Sequence, residues 1–318
     1  MSKDVDGEPA PQQESRSAPP VPLRAADHRA PTAPPEREPL PTDVEELPPL
    51  PEEYWTALRG GLDALFGEGD VGAGGHEDGG GAGAGHEDSD AGPGDDAISE
   101  ARLEIIADHV RLLLAWNEAI NLSGIRIPAA IALQHVVDSL TALPILRRSG
   151  IEDFIDLGSG GGYPGLPLAI ALPARRALLV ESVGKKARFL ATVIDATGLR
   201  GRVAVAATRA ETLAADPHHR GQWGAVTARA VGDMGELAEL SLPLLRVGGL
   251  LVAWKRRPAE DELAAADGAI HQLHGRLIRL EQVEVPGLED NVLVVVEKVG
   301  DTPAQFPRDP AVRRRRPL

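Results

Sequence analysis

Ten consecutive residues constrain this chain more than any others: Asp156-Leu157-Gly158-Ser159-Gly160-Gly161-Gly162-Tyr163-Pro164-Gly165. The apolar run Phe154–Leu157 that leads into them reads as a short buried strand. Pro164 stands where a helix would start, and proline suits a first helical turn because the N–H it lacks would be unbonded there. The glycines between let the backbone turn sharply and let a ligand come close, with no Cβ in the way. A strand, a glycine loop and a helix N-terminus in this order make a nucleotide-type binding site. The loop narrows the ligand class without naming the ligand.

Beyond the loop the texture alternates. Strands are expected at Phe154–Leu157, Ala177–Glu181, Val203–Ala207, Ala225–Ala228, Gly249–Trp254, Leu277–Val285 and Asn291–Lys298. Helices fill gaps between these strands, including Lys185–Thr197, Met234–Leu245 and Ala259–Leu273. Such alternation implies right-handed crossovers and a mainly parallel sheet covered on both faces. Only Pro286-Gly287-Leu288-Glu289-Asp290 separates the last two strands, so they should pair as an antiparallel hairpin at one sheet edge. The expected fold is therefore α/β, a class I (Rossmann-like) methyltransferase layout with a parallel sheet and a C-terminal hairpin. Apolar positions at helical spacing over Ile98–Asn121, then over 129–146, add a small helical cap spanning residues 98–150 in front of it.

Net charge has to be divided before it means anything. The chain carries −15 overall, but residues 1–98 hold 22 Asp+Glu against 6 Lys+Arg, and the remaining 220 hold 26 against 27. All the acidity sits in a Pro- and Gly-rich N-terminal stretch with little apolar content, and residues 1–97 are expected to be disordered. One island, 51–66, has helical spacing and could dock on the domain. Within the domain the cations cluster at Lys185-Lys186-Ala187-Arg188, at Lys255-Arg256-Arg257, and in a basic C-terminal tail, 300–318, with Arg308 and Arg313 to Arg316. Clustered cations are the footprint of phosphate-backbone contact, and equally of a solvated charged face. Cysteine is absent, which excludes disulfides, thiolate metal sites and thiol nucleophiles; no metal is expected. No apolar run approaches the roughly 20 residues of a membrane span, and Met1 to Asp6 lacks a signal-peptide core. A cytoplasmic protein with no membrane contact is expected.

Read literally, Gly160 to Gly165 satisfies G-x-G-x-x-G, and Glu181 follows about 20 residues on, where a carboxylate can take ribose hydroxyls of either a nicotinamide dinucleotide or S-adenosylmethionine. Three observations favour S-adenosylmethionine. Asp156 precedes Gly158 by two, which places a carboxylate beside the cationic amino-acid end of that cofactor. The chain ends in a hairpin where a dinucleotide-binding domain would continue with a parallel strand. The turn Thr208-Arg209-Ala210-Glu211 follows the third strand, where an adenine could be bracketed. No G-K-[ST] follows the glycines, so a P-loop is excluded.

Six motifs then carry a resemblance. Trp116-Asn117 with Asn121-Leu122, His135 with Asp138-Ser139, the 156–168 loop, Glu181 through Leu190, Ala228-Arg229-Ala230 and the closing Phe306-Pro307-Arg308 to Leu318 together resemble the RsmG (GidB) family. Those are bacterial methyltransferases that place a methyl group on N7 of one guanine in 16S ribosomal RNA. The resemblance covers about 98–318 and leaves out the acidic stretch. It implies that Gly158 and Tyr163, with Gly160, line the methionine and ribose portion of the cofactor. It also implies that Glu181 takes the ribose hydroxyls, Ala210 and Glu211 the adenine, and that Arg229 lies beside the cofactor. The implied partner is 16S rRNA or the small ribosomal subunit; a monomer is expected.

Guanine N7 has a free lone pair and no proton, so methylation there needs no general base, and alignment is the enzyme's main work. His135, Arg229 and Lys255 are the candidates for positioning the base or its phosphates, against a plainer reading as structural ion pairs or caps. Two rivals share part of this pattern: a nicotinamide-dependent oxidoreductase using the same loop, and a non-catalytic RNA-binding module.

Overall fold

The computed structural model describes residues 40–67, 98–172 and 176–318. Residues 1–39 and 68–97, which carry most of the expected disordered stretch, lie outside the described residues. Seven strands form one sheet: β1 (Asp153–Leu157), β2 (Arg176–Val180), β3 (Val203–Ala206), β4 (Trp223–Arg229), β5 (Leu245–Arg256), β6 (Gly275–Gln282) and β7 (Asn291–Lys298), in the order β3-β2-β1-β4-β5-β7-β6. The pairings among β3, β2, β1, β4 and β5 are parallel, while β7 runs antiparallel to both β5 and β6. An antiparallel strand slotted between the fifth strand and the edge is the class I methyltransferase arrangement. It departs from the dinucleotide-binding fold, which adds a further parallel strand.

Helices cover both faces. Following α1 (Glu52–Phe66) and α2 (Glu100–Asn117), a broken helical segment holds α3 (Pro128–Ile131), a π-helical turn (Ala132–Val137), α4 (Asp138–Leu140) and α5 (Leu143–Arg148). These pack with α6 (Gly165–Ala171) and α7 (Gly184–Ala196) on one face, around Phe154, Leu179, Phe189, Val252 and Trp254. On the other face α8 (Ala210–Ala215), α9 (Met234–Ser241), α10 (Glu260–Gln272) and the C-terminal α11 (Pro310–Arg315) enclose Ile155, Val226, Leu251, Val294 and Phe306. The apolar runs of the central strands are continuous because both faces are buried.

Four expectations change. The island expected at 51–66 does form a docked helix, and residues 40–50 leave the expected disordered stretch with it. Tyr54, Leu58 and Leu62 of α1 are fully buried, and the Arg111 guanidinium donates to the carbonyls of Val44, Leu47 and Pro48. Gly61 allows this docking, since a Cβ there would lie 2.7 Å from Val137 Cγ2. The C-terminal residues are not a tail either. Arg220 donates to the carbonyls of Thr302, Pro303 and Phe306, and Arg308 pairs with the buried Glu239 at 2.6 Å. The third change is at 234–245, read as one helix. It stops at Ser241, because Pro243 has no N–H with which to extend the helical ladder, and β5 already begins at Leu245. Lastly, Pro128–Arg148 does have the length and apolarity of a membrane-spanning helix. Its most apolar window is 67% buried inside the protein, as in a core helix.

Candidate active site: a divided cleft at the strand ends

Two cavities meet over the carboxyl ends of β1, β2, β4 and β5, where open α/β sheets place their ligands. One, about 580 Å³, lies between the glycine loop, the π-helical turn and the ends of β4, β5 and β7; the other, about 260 Å³, lies between the ends of β1 and β2, α8 and α11. Gly158 and Val231 border both, so they form the waist of a single elongated cleft. Gly158 has φ +70°, and a Cβ there would stand 2.8 Å from Val231 Cγ2. Any other residue would both strain the backbone and plug the waist.

Asp156 does not border the cleft. Its side chain is fully buried beneath the loop, accepting from Gly165 N at 3.2 Å and from Thr227 Oγ1 at 2.9 Å. Burial raises its pKa to about 6, against the hydrogen bonds that favour the charged form. The expected contact with the amino-acid end of a cofactor is therefore corrected. β1 is a central strand with covered faces, so Asp156 points into the protein and clamps the start of α6 instead.

The smaller cavity collects the residues expected around an adenosine. Glu181, just past the end of β2, is held by two backbone donors, Gly160 N at 3.0 Å and Val183 N at 2.7 Å. Each oxygen keeps a lone pair, and a carboxylate only accepts, which suits vicinal hydroxyls. Ala210 and Glu211 line the same cavity from the first turn of α8, opposite the apolar Leu157, Val180 and Leu240. The acceptor at the rim, the apolar walls and a waist that carries no side chain at Gly158 together fit an adenosine linked to a longer chain. Arg313 of α11 closes one side, 3.7 Å from Glu211 and 3.6 Å from Glu236, and is only 7% exposed. It is thus withdrawn from the expected phosphate-contacting run, whereas Arg314, Arg315 and Arg316 stay exposed.

The larger cavity is built on a stack. His109, Tyr163 and His135 lie ring on ring at 4.6 Å spacings, and His109 Nε2 bonds the carbonyl of Gly161 at 2.7 Å. Arg229, the last residue of β4, donates to the Gln134 carbonyl at 3.1 Å, to Asp138 Oδ2 at 2.6 Å and to His135 Nδ1 at 3.2 Å. A guanidinium has no acceptor, so Nδ1 of His135 accepts, and its proton sits on Nε2, which donates to Ser123 Oγ at 2.6 Å. Burial, then the Arg229 charge, lowers the His135 pKa to about 3, and burial lowers that of His109 to about 4. Both rings are neutral. The π-helical turn makes this meeting possible: it carries His135 and sets Asp138 against β4 and β7, and such turns recur at functional sites.

Gly158, Gly160, Tyr163, His135 and Arg229 border the larger cavity, and Glu181, Ala210 and Glu211 the smaller. Lys255 borders the larger one too, but its amine turns away, donating to Glu262 at 2.6 Å and to the Gly232 carbonyl at 2.9 Å. Successive side chains of a strand point to opposite faces, so Lys255 leans towards α10 while Trp254 and Arg256 face the cap. Its expected hold on a base or phosphate is corrected to an ion pair with α10. Ser123, His109, Val231 and Asn291 escaped the sequence reading. No local spacing marks them, because each joins the site through a contact distant along the chain.

A family model for rRNA small subunit methyltransferase G (GidB) matches residues 102–291. The ribosomal RNA small subunit methyltransferase G of Roseiflexus sp. (strain RS-1) is 44% identical over 221 residues, 70% of this chain and 94% of that protein. That of Chloroflexus aggregans is 44% identical over 70% of this chain and 92% of its own length. That of Pelotomaculum thermopropionicum is 40% identical, with the same two shares. Among solved structures, an O-methyltransferase from Bacillus cereus in complex with SAH has a TM-score of 0.44 and 13% identity, covering 63% of this chain and 92% of that one.

Proposed function

The chain belongs to the rRNA small subunit methyltransferase G family, and from that premise we propose that it transfers a methyl group from S-adenosylmethionine to N7 of a guanine in 16S ribosomal RNA. The divided cleft carries this reading: an adenosine-shaped half with a carboxylate rim opens through Gly158 into a half walled by cations and aromatic rings. When bound, the cofactor supplies an electrophilic methyl group on a sulfonium.

The protein's part is alignment. Glu181 accepts from ribose hydroxyls, and the α8 start with Glu211 brackets the adenine. The waist at Gly158 and Val231 holds the connecting chain. Tyr163, stiffened between two histidine rings, forms the floor beside the reacting centre, with the Arg229 guanidinium 5.7 Å from its ring centroid. Holding reactants in a near-attack geometry can supply roughly 7–11 kcal/mol. No group in this half needs to take a proton, since N7 has none. His135, neutral and bonded at both ring nitrogens, accordingly positions Arg229 and Ser123 and serves as no base. The N7 edge lies in the deep groove of paired RNA, so the target guanine is unpaired or splayed out. Arg256, Arg257, Lys185 and Arg188 are exposed for backbone phosphates. The protein acts as a monomer on the RNA or the small subunit, away from membranes.

The test uses the full-length chain with tritiated S-adenosylmethionine and three substrates: transcribed 16S RNA, a partial small-subunit particle and the mature small subunit. Borohydride–aniline cleavage maps 7-methylguanosine. Label at one guanosine N7 in at least one substrate is the expected result. Label at another atom, or in none of the three, overturns the reading.

A further inference from the structure

Among the described residues, the larger half of the cleft is bordered by Arg229 and Arg256, with the Lys255 amine turned away to Glu262, and by no Asp or Glu side chain. Lysine and arginine only donate. They suit phosphates and O6 of guanine, whose N7 lone pair is left for the methyl group, but they leave its N1–H and 2-amino group without a partner. A base drawn into a pocket with unmet donors loses the hydrogen bonds it had in water, so a fitted site supplies an acceptor.

Of the neutral side chains on this cavity, Gln134 and Asn291 carry amide oxygens. Gln134 is exposed, and among the described residues no hydrogen bond orients its amide. Asn291 is oriented. Its Nδ2 donates to Asp138 Oδ1 at 2.8 Å, while Arg229 occupies Asp138 Oδ2 at 2.6 Å. Because the carboxylate accepts only, the amide cannot be turned round, and Asn291 Oδ1 points away from Asp138. Among the described residues no donor reaches that oxygen, and it is not a buried atom. Asn291 opens β7 directly across from Arg256, and Trp254 lies two residues along on the same face. Acceptor, cation and indole thus flank one space.

We propose that Asn291 Oδ1 accepts from the N1–H or 2-amino group of the target guanine and selects that base. Adenine has an acceptor at N1 and no 2-amino group, so it leaves Asn291 unsatisfied. The proposal rests on the guanine reading of the preceding subsection.

The test places guanosine, inosine (no 2-amino group) or 2-aminopurine (no N1–H) at the mapped position of 16S RNA by splinted ligation. Values of kcat/KM are compared for the full-length wild type and for Asn291→Ala. The wild type should favour guanosine over at least one analogue by about 10-fold, the size expected when a lost partner leaves a polar group unpaired. Asn291→Ala should lose about that factor on guanosine and treat guanosine and that analogue alike. A wild type indifferent to both analogues overturns the proposal without any variant. So does an Asn291→Ala enzyme that loses the same factor on all three RNAs, which is how a purely structural role through Asp138 would act. If the wild type methylates no guanosine RNA, the guanine reading itself fails, and this proposal with it.

Discussion

Replacing Arg229 with Met should destabilise the protein far more than a surface arginine would. The side chains of Arg229 and Asp138 are 17% and 4% exposed, with a 2.6 Å contact between them. Among the described residues, the Asp138 carboxylate without Arg229 keeps one donor, Asn291 Nδ2, and the Gln134 carbonyl and His135 Nδ1 lose theirs. Breaking a buried pair from one side leaves an uncompensated charge and costs about 3–5 kcal/mol; the remaining Asn291 bond points to the lower end, about 3 kcal/mol. Asp138→Asn should cost about 1–2 kcal/mol, because the freed guanidinium still reaches the partly open cleft. In the double variant the orphaned charge is gone, so its loss should fall short of the sum by about 2 kcal/mol. Urea unfolding of the full-length proteins, followed by tryptophan fluorescence and far-ultraviolet circular dichroism, measures all four corners of the cycle. Strictly additive losses, or an Arg229→Met variant within about 1 kcal/mol of wild type, would refute the account of this pair as a buried clamp.

Three further outcomes are expected. His109 and His135, at about 4 and 3, stay neutral in the folded chain while the unfolded chain protonates both below about 6.5. Asp156, at about 6 folded, holds one proton that the unfolded chain has released. Between about pH 4 and 6 the unfolded chain thus binds one more proton than the folded one at these three sites, so stability falls with falling pH. His109→Gln should reduce that slope by about 1.4 kcal/mol per pH unit in urea titrations, and an unchanged slope would contradict the assignment. Gly158→Ala, with φ +70° and a 2.8 Å clash at Val231, should cost about 1–3 kcal/mol and weaken S-adenosylhomocysteine binding in calorimetry; wild-type affinity would sink the waist. Replacing Arg314, Arg315 and Arg316 with Ala should flatten the salt dependence of RNA binding, and Lys255→Met should leave it unchanged, because the Lys255 amine is committed to Glu262.

Much of this protein was legible in one dimension. The glycine loop and the alternation after it dictate a parallel sheet with a nucleotide-type cleft at its carboxyl ends. Local patterns announce such elements, because period and turn chemistry act over a few residues. The hairpin ending was legible for the same reason: five residues cannot carry a crossover. The place of Glu181 on the cleft came with its strand, since a residue one step past a strand end has few places to point, and that of Ala210 and Glu211 with the turn and helix start that follow β3.

Orientation belonged to tertiary structure. Asp156 and Lys255 looked like site residues from their positions, yet one turns under the loop and the other turns to α10. Sheet face and long-range hydrogen bonds, not spacing, decide where such side chains go. Arg313 reads as one of four solvated arginines until α11 folds it against Glu211 and Glu236. The clamp of Arg229, Asp138 and Asn291 draws residues from β4, the cap and β7, with partners up to 153 positions apart in the chain. No window of sequence contains it, because the chain's own fold first brings those three side chains to one place.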